Sequence, residues 1–511
     1  MSASELAPRE FPGSPARVLA WCAGVAALAV AVRALVSFQD SAIFADGPRF
    51  IGVSQDLLAG DFWVLARDDF HPLTSMLMAL GTLALGLELE TSGRVLSVLA
   101  GGVASVAVFL LARDQFGAKL AAVSSLLFAV HPRLVQASAN VQSDGIYLML
   151  ALFSALFAFR MLDRSSARSA GAAGLLCGLA YLARPEGLAV AVVAGLWLLL
   201  DVLRGRLSWR LACWNASALM LALGVVAGPY LAALYVQHGD LEISRKKPVA
   251  ALLRVERPLL ETGRPAAERW AKASSALAVE NEAARRAMNA VFLGLLILGV
   301  RRGRPERRTL YVASYVGLMA WLLFGLALTA GYTSGRHWLT SVALLLPFSA
   351  RGLLGLAAGI RVVVPTAPWR PLVAPGVVAV LVAALLGHAA LSSEDPNKVA
   401  RKQAAVWLRE HREPAVVAAK RARPAYYAGA TRAVVLESSQ DKQAALDAAR
   451  AQGADYGVVD ESWLAGREFQ SLHGVALIHT VPYPGGSVLV LEFAPDPVSE
   501  VSAPPPIPTV R

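Results

Sequence analysis

Long apolar runs recur from Val18 onward, near 18–37, 94–112, 117–132, 146–162, 170–183, 187–203, 211–235, 287–300, 309–330, 338–358 and 372–391. A helix that crosses a bilayer needs about 20 apolar residues. These runs are continuous rather than alternating, which predicts helices and argues against a β-barrel. Helices also satisfy their own backbone polar groups, as lipid demands. About eleven spans are expected. A twelfth run, 73–89, is borderline. The first run ends on no clear small-residue cleavage site and reads as an uncleaved first helix.

The pattern changes after residue 391. An amphipathic helix over 399–411 leads to the short apolar runs AVVAA (415–419), AVVLE (433–437), YGVVD (456–460), VALIHTV (475–481) and SVLVLEF (487–493). A helical run, DKQAALDAARAQGA, separates the second from the third. Strands alternating with helices predict a small α/β domain. The tail VSAPPPIPTVR reads as disordered. The expected order is a cytoplasmic tail (1–17), a transmembrane body (18–391) with an outer loop (38–72), an extracytoplasmic α/β domain (396–500) and a Pro-rich tail (501–511).

Composition agrees with a membrane body. Of the 511 residues 56% are hydrophobic and 17% charged, and the mean hydropathy is +0.51. Soluble domains carry about 25% charged residues. The net charge of +11 comes largely from short loops. These carry Arg113 and Lys119; Arg160, Arg164 and Arg168; Arg204, Arg206 and Arg210; and Arg301, Arg302, Arg304, Arg307 and Arg308. Basic loops face the cytoplasm. All four fall on that side only if run 73–89 does not cross, so it is expected to be re-entrant or interfacial. The segment 38–72 holds six aspartates against two arginines, which suits the outer side. The same parity puts the basic stretch 237–286 outside, either along lipid headgroups or as a solvated loop. Basic-aromatic nucleic-acid motifs are absent, so no nucleic-acid partner is expected. Cys22, Cys177 and Cys213 lie in apolar runs without metal-ligand spacing and read as core thiols.

Candidate chemistry gathers on the outer side. Asp46 lies just beyond the first helix, where a carboxylate can take a proton from an acceptor hydroxyl. Asp46-Gly47-Pro48 is equally a turn sequence. Ser143 and Asp144 open an apolar run, as a helix cap or as a second outer carboxylate sharing a site. YLARPEGLA carries Arg184 and Glu186, GYTSGRHW carries Arg336 and His337, and His71-Pro72 opens the borderline run. Guanidinium groups suit phosphate, although each of these residues alone is explicable as interface anchoring. Hydrolase triads, P-loops and zinc spacings are not visible.

The motifs ADGPRF…LLAGDFW, HPL, GRVLSVLAGGVASVAVFLLARDQFG, LFAVHPRLVQASANVQSDGIYLML and GLAYLARPEGL, in this order, resemble the GT-C superfamily of polytopic glycosyltransferases. The likeness is to the bacterial branch of the protein mannosyltransferases, which includes the lipid A aminoarabinose transferase. It covers about residues 18–360. The resemblance implies a polyprenyl-phosphate-sugar donor and an envelope lipid, glycan or protein acceptor, with membrane lipids around the body. Transfer would occur outside the bacterial cytoplasmic membrane. Residue by residue, it implies Asp46 as catalytic base and Asp144 as the second acidic residue of the site. His71 matches the first residue of an HPP-like motif and Arg336 a basic residue near the donor phosphate. Arg184 and Glu186 match a recurrent segment, and Arg49 and His337 join them as candidate substrate contacts. Gly47 stands where the family often has Glu, and Leu73 where it has the second Pro of HPP. A divalent metal therefore stays open. Two other readings are carried forward: a lipid or sugar transporter, and an inactive GT-C-like interaction platform.

Overall fold

The computed structural model describes residues 15–240, 242–245, 266–301, 306–363, 368–391, 394–436, 441–464 and 472–494. Residues 1–14 of the expected N-terminal tail, the Pro-rich tail and residues 246–265 of the basic stretch lie outside the described residues. The chain divides into two compact units, Met1–Phe38 with Phe50–Ser392, and Gln39–Arg49 with Ser393–Arg511.

The first unit is helical. Its helices are α1 (Pro15–Gln39), α2 (Gly47–Leu58), α3 (Val64–Arg67), α4 (Leu73–Leu85), α5 (Leu89–Phe116), α6 (Ala118–Val130), α7 (Pro132–Ala137), α8 (Asp144–Arg164) and α9 (Ala167–Ala183). They continue as α10 (Ala189–Leu203), α11 (Trp209–His238), α12 (Ala266–Met288), α13 (Ala290–Arg301), α14 (Arg307–Ala330), α15 (Leu339–Val363) and α16 (Val373–Leu391). Among the described residues eight helical segments are long and apolar enough to cross a bilayer. A ninth forms if α12 and α13, bent by 93° at Asn289, count together. Asn289 adopts φ 65°, and its side-chain oxygen accepts the Val291 amide at 3.0 Å, which stabilises the bend. The expected spans 117–132 and 170–183 form the shorter helices α6 and α9.

Small residues let these helices approach closely. Helix α9 packs on α11 at Gly174 and Gly178. A Cβ added at Gly174 would lie 2.0 Å from the Leu219 carbonyl oxygen. Gly174→Val is therefore expected to force the helices apart and destabilise the body by about 1–3 kcal/mol. Gly171→Ala on the same helix, where nothing lies within 4 Å, is the control. Thermal unfolding in detergent compares them, and equal midpoints would contradict the close approach. Arg33 sits inside the first apolar run yet is fully buried. It donates to Ser138 Oγ at 2.7 Å and to the carbonyls of Ala29 and Ala129.

Hydrogen bonds gather all four basic loops at one end of the bundle. Arg160 donates to Asp114 at 2.7 Å, and Arg308 to the Gln115 carbonyl at 2.9 Å. Arg307 reaches both the Leu162 carbonyl and the Asp201 carboxylate. Helix α5 therefore begins at the opposite end. There Ser92 donates to the Met78 carbonyl of α4, and His71, just before α4, packs on Tyr181 near the end of α9. So α4 starts and finishes at the same end. With 13 residues it reaches about 20 Å, short of the roughly 30 Å hydrocarbon layer.

The second unit holds a mixed five-stranded sheet. Its strands are β1 (Val416–Ala419), β2 (Arg432–Val435), β3 (Tyr456–Asp460), β4 (Val475–Tyr483) and β5 (Gly486–Phe493), in the order β2-β1-β3-β5-β4. The first three pair in parallel, and β4 and β5 are antiparallel. Three helices accompany the sheet: α17 (Pro396–His411), α18 (Arg423–Tyr427) and α19 (Lys442–Ala451). Each apolar run of the sequence becomes a strand. Asp395 and Asp441 cap α17 and α19 through their side chains. The segment 39–49 is bound into this unit. Glu394 accepts the amides of Ser41 and Ala42 at 2.9 and 3.1 Å, and Tyr427 Oη accepts that of Ile43 at 2.7 Å.

Candidate active site

At the end of the bundle opposite the basic loops, three chain breaks each deliver polar residues. Asp144 is the first residue of α8 and is fully buried. Arg184 follows α9 in an extended conformation, and a short 3-10 turn, Pro185–Leu188, carries Glu186 beside it. A second 3-10 turn, Gly335–Trp338, carries Arg336 and His337. Ser334 fixes that turn: its hydroxyl accepts the Arg336 amide, and its own amide donates to His337 Nδ1, both at 3.4 Å.

These residues form one bonded cluster. Arg184 Nη1 donates to Asp144 Oδ1, and Arg336 Nε donates to Asp144 Oδ2 at 2.7 Å. Arg184 also grips Glu186 with two nitrogens, at 2.9 and 3.4 Å. The Tyr147 ring lies under its guanidinium at 5.5 Å. The amide donated to Nδ1 assigns the neutral His337 proton to Nε2, which lies 3.8 Å from Glu186 Oε1. Two guanidiniums thus face two carboxylates, which makes burial of the charges tolerable. Both oxygens of Asp144 are engaged. Arg336 keeps 25% of its side chain exposed, so a cation held by a buried carboxylate is presented to the surface.

His71 is buried at the same end. Its Nε2 lies 3.2 Å from Ser244 Oγ, and the rings of Tyr181 and Tyr230 flank it at 5.0 and 5.6 Å. Asp46 and Arg49 belong to the second unit. Asp46 is half-buried immediately before α2, and its carbonyl accepts the Arg49 amide at 3.1 Å. The structure therefore joins Asp144, Arg184, Glu186, Arg336 and His337, sets His71 at the same end through Tyr181, and carries Asp46 and Arg49 elsewhere in the chain's division. Sequence reasoning missed Tyr147, Tyr181, Tyr230 and Ser244. Tyr147 stands three residues from Asp144 on the same face of α8, a spacing that makes them neighbours, and Tyr181 lies near the end of α9, three residues before Arg184. Among the described residues no group of three or more His, Cys, Asp or Glu side chains is placed to hold a metal ion.

The described residues thus form a multi-pass helical body with an ion cluster at one end, and a small α/β unit. Residues 70–230 match the family model described as dolichyl-phosphate-mannose-protein mannosyltransferase. Among solved structures the chain is similar to ArnT from Cupriavidus metallidurans bound to undecaprenyl phosphate. The identity is 16%, the TM-score 0.55, and 92% of this chain and 98% of that one are covered. It is also similar to the archaeal oligosaccharyltransferase AglB from Archaeoglobus fulgidus in complex with an inhibitory peptide and a dolichol-phosphate. There the identity is 12%, the TM-score 0.56, and the coverage 86% and 69%. A search of curated protein sequences finds no significant match.

Proposed function

We propose that the protein transfers a sugar from a polyprenyl-phosphate donor to an envelope lipid, glycan or protein on the outer side of a bacterial cytoplasmic membrane. Asp46 acts as general base and removes the proton of the acceptor hydroxyl. The hydroxyl oxygen forms a bond to the anomeric carbon as the bond from that carbon to the phosphate oxygen breaks. Polyprenyl phosphate leaves with the electron pair. Arg336, oriented by Asp144, neutralises the charge that develops on it, and such pre-oriented cations act strongly where water is scarce. Arg184 and Glu186 complete the support, and Arg49, His71 and His337 are further substrate contacts.

The observation that carries this reading is the pair of guanidiniums pinned by one buried carboxylate, at the end of the bundle remote from all four basic loops. The preference of basic loops for the cytoplasm supports an outer position for the cluster. Solved structures of similar fold hold polyprenyl phosphates, which supports the donor class.

Proteoliposomes containing a donor labelled in its sugar, together with an envelope extract as acceptor source, test the reading. The expected result is label recovered in the extract with release of polyprenyl phosphate. Label that crosses the bilayer still attached to intact donor would identify a transporter and overturn the transferase.

A further inference from the structure

The second unit contains an open cleft at the carboxyl ends of its parallel strands. The strand order places it. The connection from β1 leads to β2 on one side, and the next connection returns to β3 on the other side of β1. In open α/β sheets ligands bind outside the strand ends where the order reverses in this way. The cleft is lined there by Lys420 and Arg421, which follow β1, and by Asp460, which ends β3.

The lining is strongly basic. Helix α17 contributes Lys398, Arg401 and Lys402, a spacing that puts all three on one face. Arg423 joins them from the start of α18. Lys398 pairs with Asp40 and Glu394, and Arg401 with Asp460. Among the described residues the other four cations pair with no carboxylate. Lys402 donates to the Ser41 carbonyl at 2.5 Å, and Arg423 to the Ile43 carbonyl at 3.3 Å. Partial burial, then the neighbouring Arg401 and Arg421, depress the Arg423 pKa. Six cations thus meet three carboxylates here, and four of the six have no carboxylate partner among the described residues. Trp463, only 8% exposed, also lines the cleft, and its indole N–H has no acceptor among the described residues.

We propose that this cleft is a binding site for a phosphate group carried on a small molecule or a lipid headgroup. Four cations without carboxylate partners call for a multiply charged anion rather than a single carboxylate. The planar guanidiniums of Arg421 and Arg423 match phosphate oxygens. The site lies wholly within the second unit, and its occupancy needs no sugar transfer.

Isothermal titration of the full-length protein in a neutral detergent tests it, with inorganic pyrophosphate and with short-chain phosphatidic acid as probes. At least one probe is expected to bind. Lys420→Ala with Arg421→Ala, both exposed positions, should weaken that binding about ten-fold or more, equal to about 1.4 kcal/mol. Arg409→Ala, outside the cleft, should leave it unchanged. Asp460→Asn should tighten it by releasing Arg401, and added salt should weaken it. Tighter binding of phosphatidic acid identifies a lipid headgroup as the source, and tighter binding of pyrophosphate a water-soluble phosphate. Failure of both probes to bind, or affinity that survives in the Lys420/Arg421 double variant with an unchanged unfolding midpoint, overturns the site. Neither result bears on Asp46 or on transfer.

Discussion

Asp46→Asn is expected to lower sugar transfer by about a hundred-fold or more, the usual contribution of a general base, while insertion and the unfolding midpoint stay at wild-type values. The substitution separates two roles that the position can fill. Asp46 immediately precedes α2, and Asn caps a helix as well as Asp does. A carboxylate that only shapes the turn is therefore replaced at little cost. A carboxylate that accepts a proton is not, because the amide has no comparable basicity. Initial rates of label transfer, beside a thermal melt of the same preparation, give the answer. Transfer at the wild-type rate would remove Asp46 from the chemistry.

The second large effect is expected at Asp144. Asp144→Leu leaves Arg184 and Arg336 without the carboxylate that both contact, in a site where the lost side chain was fully buried. Removing one member of a buried ionic group costs about 3–5 kcal/mol, because the remaining charge is stranded. Replacing the pair together is far milder. Asp144→Leu with Arg184→Met should thus recover much of the stability that Asp144→Leu loses. It should not recover transfer, since Arg336 has lost its anchor. Thermal unfolding and transfer rates measured on all three proteins check this. Recovery of both properties would show that the cluster serves only to hold the fold.

Much of the fold was legible because its signals are local. The five strands stand where short apolar runs meet turn residues, and α19 begins at the Asp441 cap. Charge bookkeeping alone predicts that run 73–89 is re-entrant or interfacial, or one half of a pair that returns, and the run forms α4, a helix of 13 residues. Features that rest on distant bonds were not legible. Nothing local shows that residues 39–49 join the second unit, because the link is made by Glu394 to the amides of Ser41 and Ala42. Nothing near Arg33 in the sequence shows that it is held by Ser138 and by a carbonyl on α6. In the ion cluster the residue types and their shared side could be read. That Asp144 carries both guanidiniums could not, since its partners lie 40 and 192 positions away. The basic cleft was hidden for the same reason: the Lys420–Arg423 run is visible, but its meeting with α17 depends on the strand order.

Helix α9 carries a further consequence. Its 17 residues extend about 25 Å, several ångströms less than a typical hydrocarbon layer. Leu175 on this helix is exposed, so the flank is offered to lipid. A bilayer beside a short hydrophobic segment thins to meet it, at a cost of a fraction of a kcal/mol per ångström. Thinning of the bilayer beside α9 would bring its headgroups nearer Arg184, which follows that helix. Acyl-chain length in the host membrane is then expected to tune how deep the ion cluster lies beneath the headgroups.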